Sequence, residues 1–303
     1  MPPPEVLHDR LLPWFAEHRR DLPWREPDRS PWGVLVSEVM LQQTPVSRVL
    51  PVWERWMSRW PTPAALASAP TGDAVREWGR LGYPRRALRL HAAATAVRDA
   101  HDGEVPADEA VLRTLPGVGD YTAAAVAAFA FGARATVVDT NVRRVQARTV
   151  TGTALPAPAL TRAETALAAR LLPEDGEVAA RWSVAVMELG ALVCTARAPR
   201  CAECPIADLC SWRSAGSPPP TGPPRRGQRW AGTDRQCRGI LLQVLRESPE
   251  PVPAERLRAA WPVPGAAGEQ DDAERQRERC LDALVAEGLV EPLPGALFRL
   301  PGR

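Results

Sequence analysis

Two acids, a glycine hairpin and four cysteines are the residues of this 303-residue chain whose types and spacing could do chemistry. Cys194, Cys201, Cys204 and Cys210 form a C-x6-C-x2-C-x5-C run. Thiols that close together, in a chain expected to be cytoplasmic, point to a metal rather than to disulfides. Zinc usually takes two Cys-x2-Cys knuckles and only one is present, so a [4Fe-4S] cluster leads and zinc is the alternative. Leu115-Pro116-Gly117-Val118-Gly119 separates a short helix, Asp108 to Leu115, from a second, Asp120 to Phe129, which Gly132 should stop. Its glycines permit positive φ and leave the Val118, Gly119 and Asp120 amides uncovered at a helix start, a place that suits a phosphate. A tight helix-helix turn without a ligand is the competing reading.

The acids are Glu38 and Asp139. Glu38 interrupts an apolar helix, Trp32 to Thr44, where a carboxylate needs either a partner or the helix's one wet edge. Asp139 precedes the helix Asn141 to Val150 and could simply cap it. Tyr83 stands at a Gly-Tyr-Pro turn beside Arg85, Arg86 and Arg89, a combination able to enter a stacked duplex.

Composition removes several classes of chemistry. All 38 basic residues are arginine, so no side chain can form a Schiff base, and lysine-based lyases, pyridoxal chemistry and a P-loop lysine are excluded. The net charge of +2 means that a nucleic-acid partner has to be argued from local patches. One such patch is 194 to 232, where Arg197, Arg200, Arg213, Arg225, Arg226 and Arg229 face only Glu203 and Asp208. No run is long and apolar enough for a membrane span, and the start lacks signal-peptide character, so a cytoplasmic, nucleoid-associated protein is expected.

The elements that must position these residues are helices. Glu5 to Arg20 is amphipathic, Val46 to Trp60 carries Trp53, Trp56 and Trp60 as a core stripe, and 160 to 172 and 178 to 193 follow. No alternating strand occurs in the first 210 residues. From 212 to 232 a Pro/Gly/Arg run reads as a linker. Beyond it, helices over 235 to 247, 254 to 261 and 272 to 287 and a hairpin around Pro294-Gly295 predict a small winged-helix-like domain, 233–303, with Cys237 and Cys280 as inert core residues. Its ten arginines against twelve acids do not by themselves predict DNA binding.

Together, the Ser37-Glu38-Val39-Met40-Leu41-Gln42-Gln43-Thr44 helix, the hairpin, Asp139 and the cysteine loop resemble, in order from about residue 7 to 211, the helix-hairpin-helix DNA glycosylases, and within them the adenine DNA glycosylases of the MutY type. The resemblance implies an all-α, two-lobed fold: a six-helix barrel over about 30–140, and a cluster lobe of 1–29 plus 141–211, with DNA across the cleft between them. It implies a monomer that acts on duplex DNA holding a mismatch or oxidised guanine, flips out adenine opposite 8-oxoguanine or guanine, and hydrolyses its glycosidic bond. Glu38 would protonate the base and later activate water, and Asp139 would stabilise the sugar cation or trap it covalently. Tyr121 and Asn141 would support the two acids, Trp24 and Arg25 would line the base pocket, and Gln43, Thr44 and Tyr83 would enter the duplex. Gly117, Val118 and Gly119 would hold a phosphate, with help from Arg143 and Arg144 unless these lie on a solvated helix face.

The lyase members' catalytic lysine is replaced by Tyr121, so no strand cut through a Schiff base is expected. Pro84 and Thr140 stand where the family often has tyrosine and glycine, and the residues after 232 are too few for the Nudix-like lesion reader of many members. The rivals are a thymine or uracil mismatch glycosylase of the same fold, which would generally lack the acid at Glu38, and a non-catalytic iron-sulfur DNA-binding protein.

Overall fold

The computed structural model describes residues 2–220, 230–261 and 267–302, with backbone alone at 267–270. The middle of the expected linker, including Arg225, Arg226 and Arg229, lies outside the described residues. The helices are α1 (Pro4–His18), α2 (Pro31–Leu41), α3 (Val46–Arg59), α4 (Pro63–Ala67), α5 (Thr71–Trp78), α6 (Arg85–Ala100), α7 (Glu109–Leu112), α8 (Asp120–Phe131), α9 (Thr140–Gln146), α10 (Arg162–Arg170), α11 (Gly176–Leu192), α12 (Ser211–Ser214), α13 (Asp234–Glu247), α14 (Ala254–Ala260) and α15 (Ala267–Ala286). Among the described residues the only strands are β1 (Val252–Pro253), β2 (Glu291–Leu293) and β3 (Leu297–Arg299), and no helix is long and apolar enough to cross a membrane.

Two compact units emerge, one from the described residues of 1–38, 106–114 and 118–224, the other from those of 39–105, 115–117 and 225–303. In the first, Leu7, Leu11 and Phe15 recur every four residues on α1 and bury one face against Val142 and Val145 of α9 and Trp182, Ala185 and Leu189 of α11. The side chains of α8 from Thr122 to Ala128 are all buried, small enough for close helix packing, and left-handed Gly132 (φ 67°) ends the helix as expected. Gly190 of α11 meets Asn141 so closely that a Cβ there would stand 2.6 Å from the Asn141 Cβ. Trp212, expected within the linker, is instead buried, with the Arg148 guanidinium 4.8 Å from its ring. That aromatic contact draws α12 into the first unit.

Polar order in this unit comes from a wholly buried carboxylate. Glu188 of α11 accepts from the Arg20 backbone amide (2.9 Å), from Arg20 Nε (2.8 Å) and Nη2 (2.7 Å), and from Arg25 Nη2 (3.0 Å).

In the second unit Trp56 and Trp60 of the expected tryptophan stripe are core, whereas Trp53 is only half-buried. Trp56 meets Trp60 and Trp78 edge-on at 4.9 and 5.6 Å, while Arg59 bridges Asp73 and Glu77 to tie α3 to α5. The C-terminal part is winged-helix-like: α13 to α15 with an antiparallel sheet in the order β1-β3-β2, including the expected hairpin. Cys237 and Cys280 are buried in it. This part groups with 39–105 rather than standing alone, because the chain fastens it to α5. Gly72 N donates to Pro301 O (2.6 Å), Arg246 Nε to Val75 O (3.0 Å), and Arg76 to the carbonyls of Arg246 and Ser248.

Glu188→Ala would leave two guanidiniums without their carboxylate and should cost about 3–5 kcal/mol at neutral pH, read from urea midpoints. The arginines hold the Glu188 pKa down at about 2, so its contribution is present above the ordinary carboxylate range and is lost as pH falls toward 2. The difference between wild type and variant should therefore shrink progressively as pH falls from about 4.5 to about 2.

Candidate active site

Asp139 is the N-cap of α9: its Oδ1 accepts from the Val142 amide at 2.7 Å. Its Oδ2 accepts from Asn141 Nδ2, also at 2.7 Å, and Asn141 Oδ1 in turn accepts from Arg144 Nη2 at 2.7 Å. The capping role and a catalytic role are thus compatible, since capping fixes the carboxylate's direction. Burial raises the Asp139 pKa, and these hydrogen bonds oppose the rise.

Glu38 lies within α2 with 5% of its surface exposed, so the wet-edge alternative fails. Loss of hydration pushes its pKa up to about 7 and the neighbouring Asp139 charge adds to the rise, whereas a hydrogen bond from the Tyr121 hydroxyl and the nearby Arg25 guanidinium oppose it. The Tyr121 hydroxyl, from the first turn of α8, is held well above its ordinary pKa by burial and by both acids, so it remains a donor. Glu38, Tyr121, Asp139, Asn141 and Arg25 therefore form one electrostatic group contributed by α2, α8, α9 and the turn at Pro23–Arg25. Trp24 of that turn is buried, and Arg25 Nη1 is buried without a hydrogen-bond partner.

Other expected residues lie in the second unit. Tyr83 is 56% exposed, and both it (φ 46°) and Gln43 (φ 56°) occupy left-handed backbone, while Thr44 is buried with its hydroxyl donated to Leu81 O at 3.2 Å. In the hairpin only Gly117 has positive φ (81°), and a Cβ there would come 2.7 Å from the Arg89 Cβ; Gly119 is extended and is the N-cap of α8. Having no side chain, Gly119 leaves the first amides of α8 without a side-chain cap. Val118 is buried.

Cys194, Cys201, Cys204 and Cys210 are free and partly buried, and their sulfurs are near enough to act on one another electrostatically. Arg148 Nη1 donates to Cys194 Sγ at 3.3 Å, and Arg144 Nε to the Cys194 carbonyl at 2.7 Å. Among the described residues no group of three or more His, Cys, Asp or Glu side chains is arranged to hold a metal ion as it stands. The donor set nonetheless fits a thiolate-bound group: four unpaired thiols in one loop, bordered by guanidinium donors.

Residues 36–169 match the HhH-GPD superfamily base excision DNA repair protein family, and residues 194–210 match the iron-sulfur binding domain of endonuclease III. Over 301 residues the chain is 54% identical to the adenine DNA glycosylase of Mycobacterium tuberculosis, covering 99% of this chain and 95% of that one. The chain belongs to the adenine DNA glycosylase family. The adenine DNA glycosylase of Mycolicibacterium smegmatis is 53% identical over 292 residues, covering 96% of this chain and 95% of that one. A solved structure of a thermostable thymine-DNA glycosylase superposes with a TM-score of 0.63 at 29% identity, over 70% of this chain and 97% of that one.

In this adenine DNA glycosylase family member the guanidinium of one expected DNA-contact residue, Arg143, is taken up by the protein itself. Arg143 is only 9% exposed, and its guanidinium bonds Glu164 at 2.9 Å and the carbonyls of Ala157 and Ala159, leaving it committed to the protein interior. Arg144 is equally buried and donates to Gly190 O as well as to its other partners. Conversely, Glu188 and Arg148 were not singled out by sequence, although Glu188 carried the same signal as Glu38, an acid within an apolar helix; Arg86, expected beside Tyr83 in the duplex-entering turn, is instead only 7% exposed.

Because the folded protein binds the Glu38 proton more tightly than the unfolded chain, stability should fall as pH rises from about 4.5 to about 7. Glu38→Gln removes that penalty and should be more stable than wild type at pH 8, by up to about 3 kcal/mol, with the advantage gone below pH 4.5. Denaturant titrations at the two pH values check this.

Proposed function

We infer that the chain is a monofunctional adenine DNA glycosylase of base excision repair, with Glu38 and Asp139 as its reacting acids. The observation that carries the assignment of roles is the Glu38–Tyr121–Asp139 group, in which two carboxyls in unlike surroundings are near enough for the charge of one to act on the other. Cleaving the bond between adenine and C1′ puts negative charge on the base and positive charge on the sugar. Glu38, near half-protonated at neutral pH, gives its proton to adenine N7 as the bond breaks. Asp139 faces the sugar with an ionised carboxylate, its lone pairs directed by the α9 amide and Asn141. Ionised Glu38 then takes a proton from water as the water oxygen bonds to C1′, leaving free adenine and an abasic sugar and returning the enzyme to its starting state. With no lysine in the chain, no side-chain amine can capture the sugar, and lysine-based cleavage of the DNA strand is excluded.

Trp24 and Arg25 would line the base pocket, where the unpartnered Arg25 Nη1 is available to an acceptor on the base. Extrusion of adenine requires something to fill the gap. Tyr83, exposed on a strained turn, and Gln43 suit that task, with Thr44 behind them. The amides of Gly117, Val118 and Gly119 and the start of α8 would take a phosphate. Arg143, being buried, is left out of this set.

Cys194, Cys201, Cys204 and Cys210 would hold a [4Fe-4S] cluster, which would cross-link the loop and take no part in base release. The loop also carries exposed Arg197 and Arg200, whose charge suits the DNA backbone. Chelation of iron in the purified protein should therefore lower DNA affinity and the thermal midpoint together, followed by the visible absorbance of the cluster; a colourless protein containing zinc would contradict the cluster.

Single-turnover base release from duplexes with adenine opposite 8-oxoguanine, adenine opposite guanine, and thymine or uracil opposite guanine tests the whole reading. Only adenine should be released, with a rate that declines as pH rises through about 7. Glu38→Gln and Asp139→Asn should each lower that rate by at least ~100-fold. Release of thymine or uracil, or an undiminished Glu38→Gln rate, would overturn it.

A further inference from the structure

Arg86, on α6, is only 7% exposed, yet its guanidinium is the meeting point of two turns. Nη1 donates to Val39 O (2.8 Å), Met40 O (3.1 Å) and Gln42 O (2.7 Å), and Nη2 to Thr44 Oγ1 (3.1 Å) and Gly82 O (3.1 Å). The carbonyls of Val39 and Met40 belong to the end of α2 and that of Gln42 lies just beyond it, where a cation is favoured by the helix dipole. A simple C-terminal cap would stop there. Nη2 goes further, crossing to the Gly82 carbonyl just before Tyr83, and the same guanidinium lies 5.5 Å from the Tyr83 ring and 5.1 Å from that of Trp78. Thr44 closes the circuit by bonding Leu81 O, and Trp78 Nε1 bonds Gly82 O at 2.9 Å.

The residues at the tips of these turns are Gln43 and Tyr83, both in left-handed backbone that non-glycine residues avoid. Such strain persists only where the surroundings over-determine it. Arg86 bonds the residues on either side of Gln43 and the residue before Tyr83. A lysine, with one point of charge and three donors, could not span the same acceptors.

We propose that Arg86 is a positioning residue for duplex entry, bracing the Gln43 and Tyr83 turns as one rigid pair so that both side chains enter the DNA together. It rests on the reading of Gln43 and Tyr83 as the duplex-entering residues. Arg86 itself touches neither base nor sugar in this account; its effect passes wholly through the two turns.

The test uses the full-length holoprotein and a duplex with adenine opposite 8-oxoguanine and 2-aminopurine beside the adenine, whose fluorescence rises when stacking is disrupted. Base release and fluorescence are followed in one turnover for wild type, Arg86→Lys, Tyr83→Ala and the double variant. Arg86→Lys should slow release roughly tenfold, or about 1.4 kcal/mol, with a diminished fluorescence rise. In the Tyr83→Ala background the same change should cost less than about twofold, because the interaction is already lost. Equal losses in both backgrounds, a full fluorescence rise with slow release, or a wild-type rate would each overturn the proposal. If circular dichroism shows Arg86→Lys to be unfolded, Thr44→Val, which removes one Nη2 acceptor and the Leu81 bond, replaces it with the same expectations. A Tyr83→Ala protein with wild-type release and fluorescence would instead show that the underlying reading of Tyr83 is wrong, and the proposal would fall with it.

Discussion

The structure depends on keeping a carboxyl, Glu38, inside an apolar helix next to a second carboxyl, Asp139. Neither burial nor like charge favours ionisation, so the pair settles with Glu38 poised near neutrality and Asp139 better supplied with donors. Everything that surrounds them serves to keep that difference. Tyr121 donates to Glu38, while Asn141 and the start of α9 donate to Asp139. The small residues of α8 and Gly190 of α11 let the helices approach closely enough for four separate segments to reach one point.

A chain without lysine must make all its buried cationic contacts with guanidiniums, and this one uses their fork repeatedly. Arg20 and Arg25 share Glu188, Arg143 gathers Glu164 with two carbonyls, and Arg144 and Arg148 join α9 and the turn after it to the cysteine loop. In the second unit Arg86 does the same for two turns, and Arg76 and Arg246 exchange bonds across the C-terminal part. Each fork satisfies several backbone acceptors at once, which spares buried carbonyls the cost of being left without donors. Arginines that composition would assign to DNA are therefore divided between the interior and the surface.

The C-terminal part illustrates a similar division. Three helices and a hairpin make it winged-helix-like, but its contacts with α5 make it a continuation of the unit holding residues 39–105. Gly72 is required there, since a Cβ would come 2.5 Å from Pro301 O.

Much of this was legible in the sequence because it is local. Helical periodicity, the alanine run ended by Gly132, the Asp139 cap, the hairpin glycines and the spacing of Cys194, Cys201, Cys204 and Cys210 all act within a few residues. The absence of lysine determined by itself that no lysine-based lyase chemistry is possible. Only the tertiary structure decided whether Glu38 was wet or buried, since both fit one acid in an apolar helix, and it decided for burial because α8 and α9 bring Tyr121 and Asp139 to it. It likewise turned Arg143 inward onto Glu164, twenty-one residues away, and gave Arg86 four of its five acceptors from a segment more than forty residues away. The physical reason is the same in each case: a long polar side chain takes its partner from whatever the packed helices place within reach, and sequence periodicity records which face is buried but not what lies across from it.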